Sequence, residues 1–158
     1  MIGELNIYSC YSFQNSTILI KDLCKRAHDL HLEAIALTDI NNMYGAVEFS
    51  NECHKYDIKP IFGMQGNVNV EGEIYPFLLL AKDQVGYHDL MKICSDINLS
   101  DQKAIDLEKL RLYHEHLFIL SGCKEGIVER CVLKELESEA LRYMVLFKEM
   151  FKDNYYIC

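Results

Sequence analysis

An α/β architecture, with a mainly parallel sheet, outer helices and one β-hairpin, is predicted by three features of this 158-residue chain. Short apolar runs with strand character alternate with segments of helical periodicity. Turn residues punctuate nearly every junction. No repeat, low-complexity tract or linker interrupts the pattern.

The elements follow in order. Leu5–Tyr8 reads as a first strand. Asn15, Ser16 and Thr17 supply N-cap candidates for a helix on which Ile20, Leu23, Cys24, Ala27 and Leu30 form one apolar face. Ala34–Leu37 is a short buried strand ending in Thr38-Asp39, and Asn41-Asn42 makes a turn. Ala46–Tyr56 is a second helix with Ala46, Phe49 and Cys53 on one side. Lys59-Pro60 restarts the chain into strand Ile61–Met64. Asn67–Val70, a turn at Glu71-Gly72 and Tyr75–Leu80 form the hairpin. Gly86–Ile97 is helical, facing in with Leu90, Ile93, Cys94 and Ile97, and Leu99–Lys103 is a polar loop. Leu117–Leu120 is a strand stopped by Ser121-Gly122, Gly126–Leu133 and Leu136–Phe151 are helices, and Tyr155–Cys158 is again strand-like. A chain that stops inside a strand pattern is expected to continue in its natural polypeptide, because an apolar edge left exposed is a liability.

Composition narrows the function. Half the residues are apolar, enough for a core and too many for a disordered chain. Sixteen Lys and Arg against 24 Asp and Glu leave a net charge of -8. Tight, sequence-independent nucleic-acid binding by this chain alone is not expected, since that affinity comes mostly from Lys and Arg displacing counterions. The N-terminus lacks the basic and apolar regions of a secretory signal, and Tyr75–Ala81 is too short to cross a bilayer, so no membrane partner is expected. Seven scattered Cys without a C-x-x-C fit neither a disulfide framework nor a zinc ribbon. Most of them read as small buried hydrophobes in a reducing cytoplasm.

In parallel α/β folds ligands sit at the carboxyl ends of strands. Four places qualify: Tyr8-Ser9, Thr38-Asp39-Ile40, Gly63-Met64-Gln65 and Ser121-Gly122-Cys123. Asp39 is the acidic side chain set directly after a buried strand. It reads as a metal ligand or general base, or, more often for such a residue, as an Asx-turn or N-cap. His114-Glu115-His116 has the spacing of two zinc ligands on a strand. No acidic or Cys partner at ligand spacing accompanies it, and it reads more readily as a solvated turn than as a metal site. His28 and His31 lie near a helix end, and His54 and His88 on helix surfaces. No P-loop, G-x-S-x-G or G-x-G-x-x-G is present.

Several segments together resemble a known family. Leu37-Thr38-Asp39 through Asn42-Met43-Tyr44-Gly45-Ala46-Val47-Glu48-Phe49 is similar to LTDHGNMFGAVEF, and Ile58–Gly63 to IKPIIG. Leu79–Lys82 with Gly86-Tyr87 and Leu90-Met91-Lys92 is similar to LLAK…GY..LMK, and Leu120–Cys123 to LSGC. These belong to the N-terminal polymerase-and-histidinol-phosphatase (PHP) domain of the bacterial DNA polymerase III alpha subunit, and the resemblance runs along nearly the whole chain.

The resemblance implies a distorted β/α barrel with a metal cluster at the strand ends. Here the barrel would be incomplete, residues 1–158 forming its N-terminal portion, with the remaining PHP and polymerase domains beyond. Related stand-alone members are metal-dependent phosphoesterases, and some polymerase PHP domains carry a 3′–5′ exonuclease. At the family's ligand positions this chain has Asn6 and Tyr8 for the H-x-H, Ile40 for the His after Thr-Asp, Gln65 for Glu and Pro76 for His. Asp39 alone stands as the family has it. Zn²⁺ and Mn²⁺ favour imidazole and carboxylate, whereas Asn and Gln offer a neutral carbonyl and Ile and Pro nothing. The expected reading is a metal-free, catalytically silent domain without catalytic or cofactor-binding residues, Zn or Mn being needed only if the site works after all. The parent would be a DNA-directed DNA polymerase using Mg in a downstream domain. It would meet DNA through the rest of its own chain, and this domain would dock a proofreading exonuclease or other replisome subunits. The alternative is a stand-alone phosphoesterase or exonuclease with a degenerate site around Glu4, Tyr8 and Asp39.

Overall fold

The computed structural model describes residues 3–157 and divides the chain into two compact units, residues 1–65 and 66–158. The α/β class holds in each.

In the first unit β1 (Gly3–Glu4) pairs in parallel with β2 (Ala34–Leu37), and β2 pairs in parallel with the first part of β3 (Lys59–Val70) in the register Ala34↔Lys59 to Leu37↔Phe62. Helix α1 (Ile20–Asp29) connects β1 to β2, and α2 (Ala46–Lys55) connects β2 to β3. All four residues of β2 are buried, which is what an unbroken Ala-Ile-Ala-Leu run between two parallel neighbours requires. Ile20, Cys24 and Ala27 of α1 and Phe49 and Cys53 of α2 close on Ile35, Leu37 and Ile58 as one core. The Phe49 and Phe62 rings meet edge to face, 6.0 Å between centroids.

Three expectations change here. The strand at Leu5–Tyr8 ends at Glu4, because the Ile7 amide donates to the Thr38 hydroxyl (3.0 Å) rather than to the β2 backbone. Residues beyond Glu4 still run beside β2, with the Thr38 amide donating to the Ile7 carbonyl. Helix α1 starts after Leu19 with no side-chain cap, so Asn15–Thr17 form a loop instead. Leu30, placed on the apolar face, lies beyond the helix and is half exposed.

The second unit takes the end of β3 and adds β4 (Glu73–Ala81), β5 (Ile105–Asp106), β6 (Leu117–Ser121) and β7 (Tyr155–Tyr156). The two runs anticipated at Ile61–Met64 and Asn67–Val70 are one strand, with Pro60 tolerated near its start. Glu71 and Gly72 both take positive φ, 54° and 91°, the backbone a tight hairpin turn needs. β5 pairs in parallel with β3, β6 lies antiparallel to β4 from Phe77↔Ser121 to Ala81↔Leu117, and β7 pairs in parallel with β6. Helices α3 (Gln84–Leu99), α4 (Leu107–Leu110), α5 (Ile127–Leu133) and α6 (Glu137–Phe151) complete it. Asp83 caps α3 by accepting from the Gly86 amide. The short β5 and α4 had no periodicity long enough to announce them. The terminal strand is paired on its β6 side, while Cys158 lies outside the described residues.

Candidate functional site

The turn after β2 brings together three of the four predicted places. Residues 6–12, the Thr38–Asn42 turn and the β3 segment ending at Gln65 all belong to the first unit. A parallel bridge joins Ile40 to Gln65, the Gln65 amide donates to the Asp39 carbonyl (3.1 Å), and the Asn41 amide donates to the Gln65 carbonyl (2.8 Å). β2 thus passes its register to the turn, and the turn cannot shift without breaking backbone bonds.

Asp39 is 1% exposed. Its Oδ1 accepts from the Ser9 amide (2.7 Å) and the Ser12 hydroxyl (2.6 Å), and its Oδ2 from the Ser9 hydroxyl (2.7 Å). A carboxylate has about four acceptor positions, and three of these are filled by short, charge-assisted bonds. Ser12 Oγ in turn accepts from the Ile40 amide (3.0 Å) and Ser9 Oγ from the Tyr11 amide (3.2 Å). Ser9 and Ser12 are themselves buried. The Asp39 side chain therefore spans 27 to 30 residues of sequence and latches the first loop onto the end of β2. Asp39 serves neither as the Asx-turn nor as the N-cap expected of it, because its carboxylate reaches across the unit to Ser9 and Ser12; the Asx-turn here is made by Asn42, which accepts from the Tyr44 amide (3.2 Å). Sequence reasoning missed Ser12. The Ser-x-x-Ser spacing after the first strand was its only signal.

The other family positions carry neutral side chains. Tyr8 donates its hydroxyl to Gln65 Oε1, so the two neutral replacements satisfy each other. Asn6 is exposed, with Oδ1 3.2 Å from the Thr38 hydroxyl. Ile40 contributes backbone only to the bridge. Met64, next to Gln65, is fully buried core. Glu4 folds onto its own backbone, accepting from the Leu5 amide (3.2 Å). The cavity beside Asp39, lined by Leu37, Asn42, Met43, Ala46, Phe62 and Gly63, measures about 10 Å³, room for one water at most. The donor set and this space do not fit a transition-metal cluster. Among the described residues no three His, Cys, Asp or Glu side chains are placed to hold a metal ion.

Pro76 and the fourth place belong to the second unit. Pro76 sits on β4 one residue outside the ladder with β6. Its carbonyl lies so close to Gly122 that a Cβ there would come within 2.2 Å of it. Ser121 donates to Glu129 Oε1, while Glu129 Oε2 is buried without a hydrogen-bond partner among the described residues. His114 and His116 do not converge. His114 Nδ1 is 3.0 Å from the Arg111 carbonyl, and His116 Nδ1 is 2.8 Å from Asp83 Oδ2, so the H-x-H serves a turn and a helix cap.

Residues 4–157 match the PHP domain family. The chain is 30% identical to DNA polymerase III subunit alpha of Borreliella burgdorferi over 98% of its own length and 15% of the relative's. It is 31% identical to that of Bacillus subtilis (94% and 14%) and 33% identical to that of Rickettsia conorii (97% and 13%). The matched stretch is the N-terminal region of these relatives, of which the chain spans about a seventh. An amidohydrolase from Chromobacterium violaceum is similar over 61% of this chain and 33% of its own, with 17% identity and a TM-score of 0.47. With the motifs, the strand-end turns and the family match in agreement, this chain belongs to the PHP domain family.

Proposed function

We propose that the chain is the N-terminal PHP portion of a bacterial replicative DNA polymerase III alpha subunit, and that within it the domain is a metal-free structural and docking module. The observation that carries the first part is identity of about 30% to alpha subunits along 98% of the chain. In that reading the nucleotidyl transfer, its Mg and the DNA contacts belong to the rest of the polymerase. A net charge of -8 suits a domain that leaves DNA to other parts of the enzyme. Its location is then the cytoplasm, where replication occurs. No helix among the described residues is long and apolar enough to cross a membrane.

The second part is supported by the latch. A carboxylate with three short internal donors, beside a Tyr–Gln pair, has little left to offer a cation. Losing even the partners that orient metal ligands costs about 10–100-fold in affinity, and here the ligands themselves are replaced. The test is metal analysis of the chain after dialysis against Zn²⁺ and Mn²⁺, with hydrolysis of a 3′-labelled oligonucleotide measured alongside. Metal well below one equivalent and no hydrolysis above the buffer rate are expected. One equivalent of retained Zn or Mn overturns the metal-free reading. The parent assignment is tested separately by the length of the natural gene product, which should match that of the alpha-subunit relatives.

A further inference from the structure

Two of the seven cysteines meet inside the first unit. Cys24 lies in the middle of α1 and Cys53 in the last turn of α2, and their sulfurs are 3.7 Å apart. Neither is exposed at all. Ile20, Ala27, Ile35 and Phe49 belong to the same core cluster, so each sulfur is held against the other by packing rather than by chance encounter. Cys123, by contrast, is exposed.

We propose that Cys24 and Cys53 are a built-in oxidative modification site, converted by a hydroperoxide into a disulfide that staples α1 to α2. The sulfurs need to approach by only about 1.7 Å to reach bonding distance. Either sulfur can donate in this contact, and the bond favours the thiolate of whichever one accepts. That thiolate attacks one peroxide oxygen, the O–O bond breaks, and its cysteine becomes a sulfenic acid as the other oxygen leaves as water or alcohol. The second cysteine then attacks the sulfenic sulfur, the S–O bond breaks, and water leaves with the second thiol's proton. Two thiols are oxidised by two electrons and one peroxide is reduced. Because both sulfurs are shut from solvent, the peroxide enters through local opening of the helix pair, and the reaction is slower than at Cys123.

The closed loop contains β2 and the whole Thr38–Asn42 turn. Cross-linking the helices on either side restricts the unfolded state of the very segment that carries the Asp39 latch.

The test is treatment of the folded 158-residue chain with hydrogen peroxide, alkylation of remaining thiols under denaturing conditions, and peptide mapping without reductant. The expected product joins the Cys24 and Cys53 peptides with loss of two hydrogens, appears after Cys123 has reacted, and is reversed by dithiothreitol. The oxidised chain should melt roughly 5–10 °C higher than the reduced one. The bridged peptide should be missing from C24S and C53S. Recovery of both cysteines as free thiols after exposure prolonged many-fold beyond complete oxidation of Cys123 overturns the proposal, as does bridging of either to another cysteine or separate oxidation of the two to sulfinic acids. The primary readout uses the unsubstituted chain, so poor folding of a variant does not blunt it.

Discussion

Two carboxylates close two strand-end turns in opposite ways. Asp39, after β2, is buried and receives three donors. Glu129, in α5 beside the turn that follows β6, receives the Ser121 hydroxyl on one oxygen and keeps the other buried without a partner. The second turn relies instead on backbone proximity, with Gly122 against the Pro76 carbonyl. An acid at the carboxyl end of a strand is therefore no sign of a site by itself. The number of donors aimed at it tells whether it holds structure together.

The largest effect should come from Asp39→Ala. It strands the Ser9 amide and the Ser9 and Ser12 hydroxyls in a buried turn, and should cost about 3–5 kcal/mol in urea unfolding. A loss below about 1 kcal/mol breaks the latch reading. Gly122→Ala comes next, because its Cβ meets backbone that cannot swing aside, and should cost about 2–3 kcal/mol. Changing acid to amide sharpens the contrast. Asp39→Asn should lose about 1–2 kcal/mol by giving up charge-assisted bonds. Glu129→Gln should stay within about 0.5 kcal/mol of the parent, since relief of a buried oxygen offsets the weaker helix N-terminal interaction.

The last effect appears only in alkali. Burial, then hydrogen bonding to Glu73, raises the Tyr75 pKa, and burial, then hydrogen bonding to Glu71, raises that of Tyr143. The folded chain holds these protons more tightly than the unfolded one. That advantage is complete below the unfolded tyrosine pKa of 10.0 and is lost as pH rises above it. Melting temperature should hold from pH 8 to about 10 and then fall. Absorbance at about 295 nm should show late-titrating phenols, a signature reduced in Tyr75→Phe with Tyr143→Phe.

Much of the fold was legible where burial and periodicity coincide. Ala34–Leu37 and the α2 face of Ala46, Phe49 and Cys53 were readable because every neighbour makes the same demand. Leu5–Tyr8 misled because its apolar alternation is real while its ladder is diverted to the Thr38 side chain, a long-range bond no local pattern records. β5 is two residues long and owes its strand state to β3. At the site, the replaced residues Asn6, Tyr8, Ile40 and Gln65 were visible as departures from a resemblance. Their new arrangement, the Tyr8–Gln65 bond and the serine donors, was not, because hydrogen-bond partners 27 to 57 residues apart are set by tertiary structure.

The latch also has a direction in time. Ser9 and Ser12 leave the ribosome before the aspartate they serve, by 27 to 30 residues. At roughly 5–20 residues per second, the loop waits about 1.5–6 s with its donors facing water. Only after β2 and Asp39 emerge can it close, so the first segment made waits for the middle of its own unit before it can be fastened. Slowing translation just upstream of codon 39 would prolong that open interval and leave the finished protein unchanged.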